Sequence, residues 1–333
     1  MSTEQIPAGS VQTNEKEFNT VFMDKLSSVE HYLTIGSQPK PVLQNISLEI
    51  KKGEIWAITG SSRFELKLLL EIMANIKPYL SGRCVLMERG MMRLKRKILP
   101  HVFYVGNTNM AYNNMNVLEF LMFATANSNF DVVFQQKRIF EQLISFGLGS
   151  ISLTPISTLT PEYKAIILLL VGIYSSSQLI VMNLPSLKFN QKQITALGEI
   201  TRYMQSLEKT LVVSALDALL IEKICDHIAY LYDGSIFYKG TTREFRHRYD
   251  RIVLTIKDKR AEIIEGKLKR ALPMYDYSTN DDTVTVRNYY SDNSSPSEIY
   301  EKIVAEGFAP QKIKINPKTV ENAFEEILKQ NDL

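Results

Sequence analysis

The sequence predicts an α/β protein, with a first domain on a mainly parallel sheet and a small α+β domain after it. Three observations carry this. Short apolar runs at Ile55-Trp56-Ala57-Ile58-Thr59, Leu179-Ile180-Val181-Met182, Leu211-Val212-Val213-Ser214 and His227 to Tyr232 have the length and composition of buried strands. Segments with helical apolar spacing, Phe64 to Ala74, Lys164 to Tyr174 and Gln191 to Leu207, alternate with them. Past about Tyr249 the pattern changes, and a chain of 333 residues is about two domains long.

Each element follows in order. Residues 1–28 read as a polar tail: Met1 to Asn19 lacks the apolar stretch of a secretory signal. The first domain is expected over 29–249. Val42-Leu43 and Ile46 to Ile50 alternate as strands do, Lys51-Lys52-Gly53-Glu54 turns the chain, and Ile55 to Thr59 forms a buried strand ended by Gly60. Phe64 to Ala74 then makes the local unit strand, tight turn, helix. The strand His227 to Tyr232 runs into the turn Asp233-Gly234. A second domain is expected over 250–333, with strands at Arg251 to Ile256 and Thr283 to Val286 and helices at Ile263 to Leu272, Pro296 to Glu306 and Pro317 to Lys329. Ser291 to Ser295 reads as a loop.

Composition narrows the function classes. Hydrophobic residues make up 45% and charged residues 23%, which excludes a wholly disordered chain. Thirty-nine Lys and Arg against 36 Asp and Glu leave a formal charge of +3, too little for nucleic-acid binding by steering alone, and no nucleic-acid partner is expected. Cys84 and Cys225 are far apart and form no ligand or disulfide pattern, which fits a reducing compartment. The longest apolar run, Ala165 to Ile173, is shorter than the roughly 18 residues that cross a bilayer.

The strand-turn-helix at Ile55 to Ala74 is where a phosphate-binding loop would lie. Such a loop is Gly-x-x-x-x-Gly-Lys-Ser/Thr: the glycines bring backbone N–H groups to phosphate, the lysine neutralises the outer phosphates and the hydroxyl holds magnesium. Here the residues are Gly60-Ser61-Ser62-Arg63-Phe64-Glu65-Leu66-Lys67, and only the first glycine remains. Ser62-Arg63-Phe64-Glu65 instead fits a capping box, in which serine and glutamate reciprocally satisfy the first N–H groups of a helix; the alternative is that Glu65 is a solvated first-turn acid. A one-place slip of register that put Lys67 in the phosphate position would rotate Leu69, Leu70 and Met73 away from the core.

Several ordered landmarks carry a family resemblance. Asn45 to Glu54 leads into the loop, Tyr104-Val105-Gly106-Asn107 and Leu159-Thr160-Pro161-Glu162-Tyr163 follow, then Leu179 to Pro185, Ser214-Ala215-Leu216-Asp217, and Cys225-Asp226-His227-Ile228-Ala229 with Asp233-Gly234-Ser235 and Lys239-Gly240. Over about Val42 to Gly240 the chain resembles the nucleotide-binding subunits of ATP-binding cassette (ABC) transporters, within them the drug and bacteriocin exporter branch. The resemblance implies a P-loop NTPase-like (ABC ATPase) domain with a helical subdomain. Ile315 to Leu328 resembles the ending of exporter-type subunits, which makes the second domain a family appendage.

Every catalytic station carried over by the resemblance is altered. The P-loop lysine falls on Leu66, the hydroxyl after it on Lys67 and the second glycine on Glu65. The magnesium-linked glutamine of the Q-loop falls on Asn107, the Walker B aspartate on Asn183, the general-base glutamate on Leu184, the switch histidine on Leu216 and the following loop aspartate on Asn190. Pro161 and Glu162 replace the signature glycines. An aliphatic Leu184 cannot accept a proton from an attacking water. What is left of the nucleotide site is the outline at Gly60, Ser61, Ser62, Arg63, Glu65, Lys67 and Leu68.

The resemblance therefore implies a catalytically degenerate subunit with no catalytic residue, no metal site and no cofactor, ATP-Mg binding weakly if at all. Its implied partners are an integral-membrane permease, docking around Val102 to Phe123, and an active ABC ATPase subunit. The implied location is the cytoplasmic face of the membrane, with membrane contact only through partners. Two alternatives stay open: a weakly ATP-binding subunit contributing to one composite site of a heterodimeric exporter, and a soluble regulatory pseudo-ATPase. The cluster Arg89, Arg93, Lys95, Arg96 and Lys97 reads as a solvated basic face or a contact for anionic headgroups. His101 and His227 read as structural, and Tyr275 to Tyr277 with Tyr289-Tyr290 as small-domain core.

Overall fold

The computed structural model describes residues 19–29, 41–87, 89–90, 98–109, 114–126, 131–288 and 296–330. The central sheet has the order β10-β9-β3-β8-β7-β6, formed by Ser235–Thr241, His227–Tyr232, Ile55–Gly60, Thr210–Ser214, Leu179–Asn183 and Val102–Val105. All neighbours are parallel except β10, which returns antiparallel on β9. Its inner strands are buried on both faces, which is why they read as unbroken apolar runs. Ile55, Ala57, Leu211, Val213, Ile180 and Met182 enter one core, and Trp56, Ile58, Val212, Leu179 and Val181 the other. The period of two thus survives inside the runs.

On the second face lie helix α1 (Arg63–Met73) and an antiparallel sheet of order β2-β1-β4-β5, formed by Pro41–Lys51, Asn19–Val29, Ser81–Leu86 and Arg89–Gly90. On the first face pack α2 (Val117–Ala124), α3 (Val132–Ser145), α4 (Pro161–Tyr174), α5 (Gln191–Ser206) and α6 (Ala218–Ile224). The predicted helices at 64–74, 164–174 and 191–207 are α1, α4 and α5.

The expected polar tail over 1–28 is corrected at its end. Residues from Asn19 form β1, with Val21, Met23 and Leu26 at most 1% exposed and pairing on both edges, to β2 and β4. Its alternation is broken by irregular register between Met23 and Leu26 and by Lys25 at φ 47°, so the strand does not read as one. Thr20 Oγ1 meets Thr210 Oγ1 at 3.0 Å and ties β1 to the central sheet.

After α7 (Thr242–Tyr249) the chain forms β11 (Ile252–Lys257), α8 (Ala261–Ala271), β12 (Tyr275–Asn280), β13 (Thr283–Asn288), α9 (Pro296–Ala305) and β14 (Lys312–Ile315). The sheet order β12-β13-β11-β14, antiparallel throughout, is the split β-α-β arrangement of ferredoxin-like domains. It has a core of its own, which includes Tyr275 and Tyr277.

The expected second domain of 250–333 is corrected at its far end. Helix α10 (Val320–Gln330) leaves that core and places Val320, Ala323 and Ile327 in the core of the first domain. The Phe324 ring lies 5.6 Å from that of Phe245 and 5.8 Å from that of Tyr230. The crossing is pinned by Asp250, 1% exposed, whose carboxylate accepts from Ile252 N, Asn316 Nδ2, Thr319 N and Asn322 Nδ2.

Candidate functional site: the β3–α1 junction

Only Ser61 and Ser62 separate the end of β3 from the start of α1. Gly60 permits this tight exit, since a Cβ there would lie 2.3 Å from Leu231 O. Ser62 is the N-cap: its hydroxyl accepts from Glu65 N at 3.3 Å and its carbonyl from Leu66 N at 3.1 Å. The backbone of Arg63 to Leu66, which in a phosphate loop would curl around the ligand, is wound into the helix. Leu66 is fully buried against the second core, and Leu68, Leu69, Leu70 and Met73 are buried with it. Arg63, Phe64 and Lys67 are exposed, and Lys67 Nζ lies 3.9 Å from Glu71 Oε1. The register that buries Leu69, Leu70 and Met73 is kept, and the lysine does not slip into Leu66's place.

The capping box is present in one half. The return bond from Glu65 goes elsewhere: Glu65 Oε2 accepts from Gly234 N at 3.2 Å, in the turn between β9 and β10. Gly234 has φ 71°, and a Cβ there would stand 2.4 Å from Val42 O, so the turn is held tight against β2. Burial pushes the Glu65 carboxyl above its ordinary value; the Gly234 N–H lowers it, the Asp233 carboxylate raises it and the Ser62 hydroxyl lowers it. Glu65 therefore fastens the start of α1 to the turn between β9 and β10.

Next to α1, at the end of β7, Asn183 is 5% exposed. Its Nδ2 donates to the Tyr104 hydroxyl at 3.0 Å and to Lys67 O at 3.5 Å, and its Oδ1 accepts from Ser214 Oγ at 3.2 Å. Burial holds the Tyr104 hydroxyl above the usual phenol value; the Asn183 bond lowers it and the Glu71 carboxylate raises it. An amide suits this position because it gives and takes hydrogen bonds at once. The roles of Tyr104, Ser214 and Gly234 were not evident from sequence; the only signal was their place at strand ends next to the altered stations.

The remaining stations are dispersed. Asn107 is exposed and accepts from Asn109 N at 3.0 Å, an Asx turn of its own. Leu184 packs with Leu187 on the first core, and Leu216 packs on the second. Asn190 caps α5 in a complete capping box with Gln193. At the signature position Pro161 opens α4 as its first residue, exposed, and the Thr160 side chain makes no cap bond. His227 stacks on Trp56 with ring centroids 4.8 Å apart. Arg93, Lys95, Arg96, Lys97, Tyr289 and Tyr290 lie outside the described residues, and of Arg89 only the backbone is described.

At this junction the backbone N–H groups are spent on cap and helix bonds, Leu66 lies in the core, the Glu65 carboxylate is bonded to Gly234 N, and the amide of Asn183 brings no charge.

No family model matches the chain. It is 20% identical over 200 residues to the lantibiotic transport ATP-binding protein SrtF of Streptococcus pyogenes, a match covering 59% of this chain and 83% of that protein. It is 26% identical over 218 residues to the phosphonates import ATP-binding protein PhnC of Fusobacterium nucleatum, covering 62% and 88%. Among solved structures, cbiO1 of Clostridium perfringens, part of the ABC transporter complex cbiONQ, superposes with a TM-score of 0.57 at 17% identity, covering 77% of this chain and 97% of that one. The fold is that of an ABC transporter ATPase domain. Its homologues are ABC transporter ATP-binding proteins.

Proposed function

We propose that this chain is a catalytically silent ABC ATP-binding-type subunit, which docks on an integral-membrane permease and pairs with an active ATPase subunit of an export complex. The observation that carries the reading is the burial of Leu66 in a helix that begins directly after a two-residue turn. That helix leaves neither a lysine nor a free backbone nest for phosphate. Leu184 on the apolar core supplies no base for water.

Docking is supported by the helices after the Q-loop position. Phe123 is 50% exposed, and Val132, Val133 and Phe134 are 63%, 72% and 56% exposed around the start of α3, an apolar group of the kind that covers itself in a complex. No described helix is long and apolar enough to cross a membrane, so attachment to a permease would run through such a surface. The export direction is supported by the modest likeness of Ile315 to Leu328 to the ending of exporter-type subunits and by the lantibiotic transport relative.

The test is thermal unfolding of the purified chain with and without millimolar ATP-Mg, with phosphate release measured alongside. A ligand present at about 100 times its Kd would stabilise the fold by about 2.7 kcal/mol, a rise of several degrees in Tm. With Kd about ten times the ligand concentration or weaker, the same relation gives about 0.06 kcal/mol, so the expected shift is below one degree, with no hydrolysis above buffer. A rise of several degrees, or turnover, refutes the silent subunit. Failure to co-purify with a polytopic membrane protein refutes the docking role separately.

A further inference from the structure

The C-terminal sheet ends on β14, which pairs with β11 in the register Leu254↔Ile315, Thr255↔Lys314, Ile256↔Ile313 and Lys257↔Lys312. No described strand lies on its other side. The two faces of this edge differ. Ile313 and Ile315 stand opposite the core residues Ile256 and Leu254 and so face α9; with Leu254, Pro296 and Tyr300 they border a cavity of about 210 Å³. That border is open to water: Ile315 is 62% exposed, Tyr300 53%, and Val304, one turn further along α9, 52%. Lys312 and Lys314 face the other way and are exposed, and neither is among the ion-paired lysines of the described residues.

We infer that this edge takes up an extended segment of a partner protein by strand addition, and that the segment alternates apolar with acidic residues. An added strand gains affinity from main-chain hydrogen bonds to the open edge and specificity from the pockets that meet alternate side chains. With a period of two, its apolar residues enter the groove of Ile313, Ile315 and Tyr300 while its acids stand beside Lys312 and Lys314. Glu301 lines the groove on the helix side, so the acidic preference belongs to the lysine face alone.

A second copy of the chain is a poorer occupant. In a two-fold pair of β14 strands with both helical layers on one side, centring on Ile313 sets Lys312 against Lys314, and centring on Lys314 sets that residue against itself. Like charges directly opposite are destabilising, and edge lysines are a known guard against self-pairing. The inference does not depend on the state of the nucleotide site.

The test uses the full chain and a fluorescent octapeptide of four Val-Glu repeats, read by anisotropy at low salt. Its controls are a peptide of the same composition in two blocks and a peptide of Val-Lys repeats. The alternating acidic peptide is expected to bind on the order of tenfold more tightly than either control, as two ion pairs and a matched groove would give. In the variant Lys312→Glu with Lys314→Glu, checked for folding by circular dichroism, the preference is expected to pass to the Val-Lys peptide; Ile315→Lys is expected to weaken both. If the double variant does not fold, salt titration of the unmodified chain serves, with affinity for the acidic peptide falling as salt screens the lysines. Absence of saturable binding, equal binding of the block peptide, an unchanged preference after charge reversal or no salt dependence overturns the inference. So does self-association through β14 that the acidic peptide fails to dissolve.

Discussion

Replacing Glu65 separates the fold described here from a helix that merely caps itself. In Glu65→Ala the Gly234 N–H loses its acceptor at 3.2 Å, and α1 loses a first-turn acid. A half-buried donor left without a partner costs about 1–3 kcal/mol, and loss of the favourable dipole interaction adds about 0.3–1 kcal/mol. Against this stands relief of burying a carboxylate near Asp233, which keeps the Glu65 carboxyl above its ordinary value. The net expectation is a destabilisation of about 1 kcal/mol at neutral pH, or about 2–4 °C in Tm for a unit of this size. Glu65→Gln keeps an oxygen for Gly234 N and removes the charge. Because the folded carboxyl holds its proton more tightly than the unfolded one, its contribution is complete below about 4.5 and is lost as pH rises through the folded value. Glu65→Gln should therefore match the unmodified chain near pH 4 and gain on it as pH rises towards neutral. Differential scanning fluorimetry across that range reads both variants. Equal Tm for the alanine and glutamine variants at pH 7, or no gain of the glutamine variant with pH, would refute the cross-sheet bond and its burial.

Three further outcomes follow from the same contacts. Leu66→Lys, which restores the P-loop residue type, should destabilise by several kcal/mol because its side chain enters a closed apolar core, and should not create ATP binding; a stable variant that binds ATP would show the residue to be misplaced. Asn183→Asp cannot donate to Lys67 O and buries a carboxylate, so it should cost about 1–3 kcal/mol at pH 7 and less in acid, as chemical denaturation at two pH values would read. Asp250→Asn turns an acceptor of four donors into a partial donor and should cost about 2–4 kcal/mol, with limited proteolysis cutting first at the junction before α10.

The parallel core was legible because strands buried on both faces leave apolar runs, and the helices between them keep a 3.6-residue period. β1 was hidden by its irregular register at Lys25, and β14 by being only four residues long. The return of α10 to the first domain could not be read, since its amphipathic face fits either core equally well until the ring of Phe324 meets those of Phe245 and Tyr230. The residue types at these positions were visible, but not their contacts. Glu65 and Gly234 are 169 positions apart and Asn183 and Tyr104 are 79 apart, so no local pattern announces either contact.

The altered stations are also mutually fitted. A phosphate loop in the free state presents unpaired N–H groups and a concentrated positive potential that a ligand must satisfy. Here the same demand is met from within: the helix starts at Arg63, Ser62 takes the N–H of Glu65, and the Glu65 carboxylate crosses to Gly234. Leu66 can then fill the core because no lysine has to reach outward. An aspartate at 183 would be a buried charge facing Lys67 O, whereas the amide satisfies Tyr104, Lys67 and Ser214 together. Each of these side chains thus has its partner in another of the group. Double-mutant cycles between Glu65 and Leu66, or between Asn183 and Tyr104, should therefore show coupling of about 0.5–3 kcal/mol, and additive effects would mean that the replacements accumulated independently of one another.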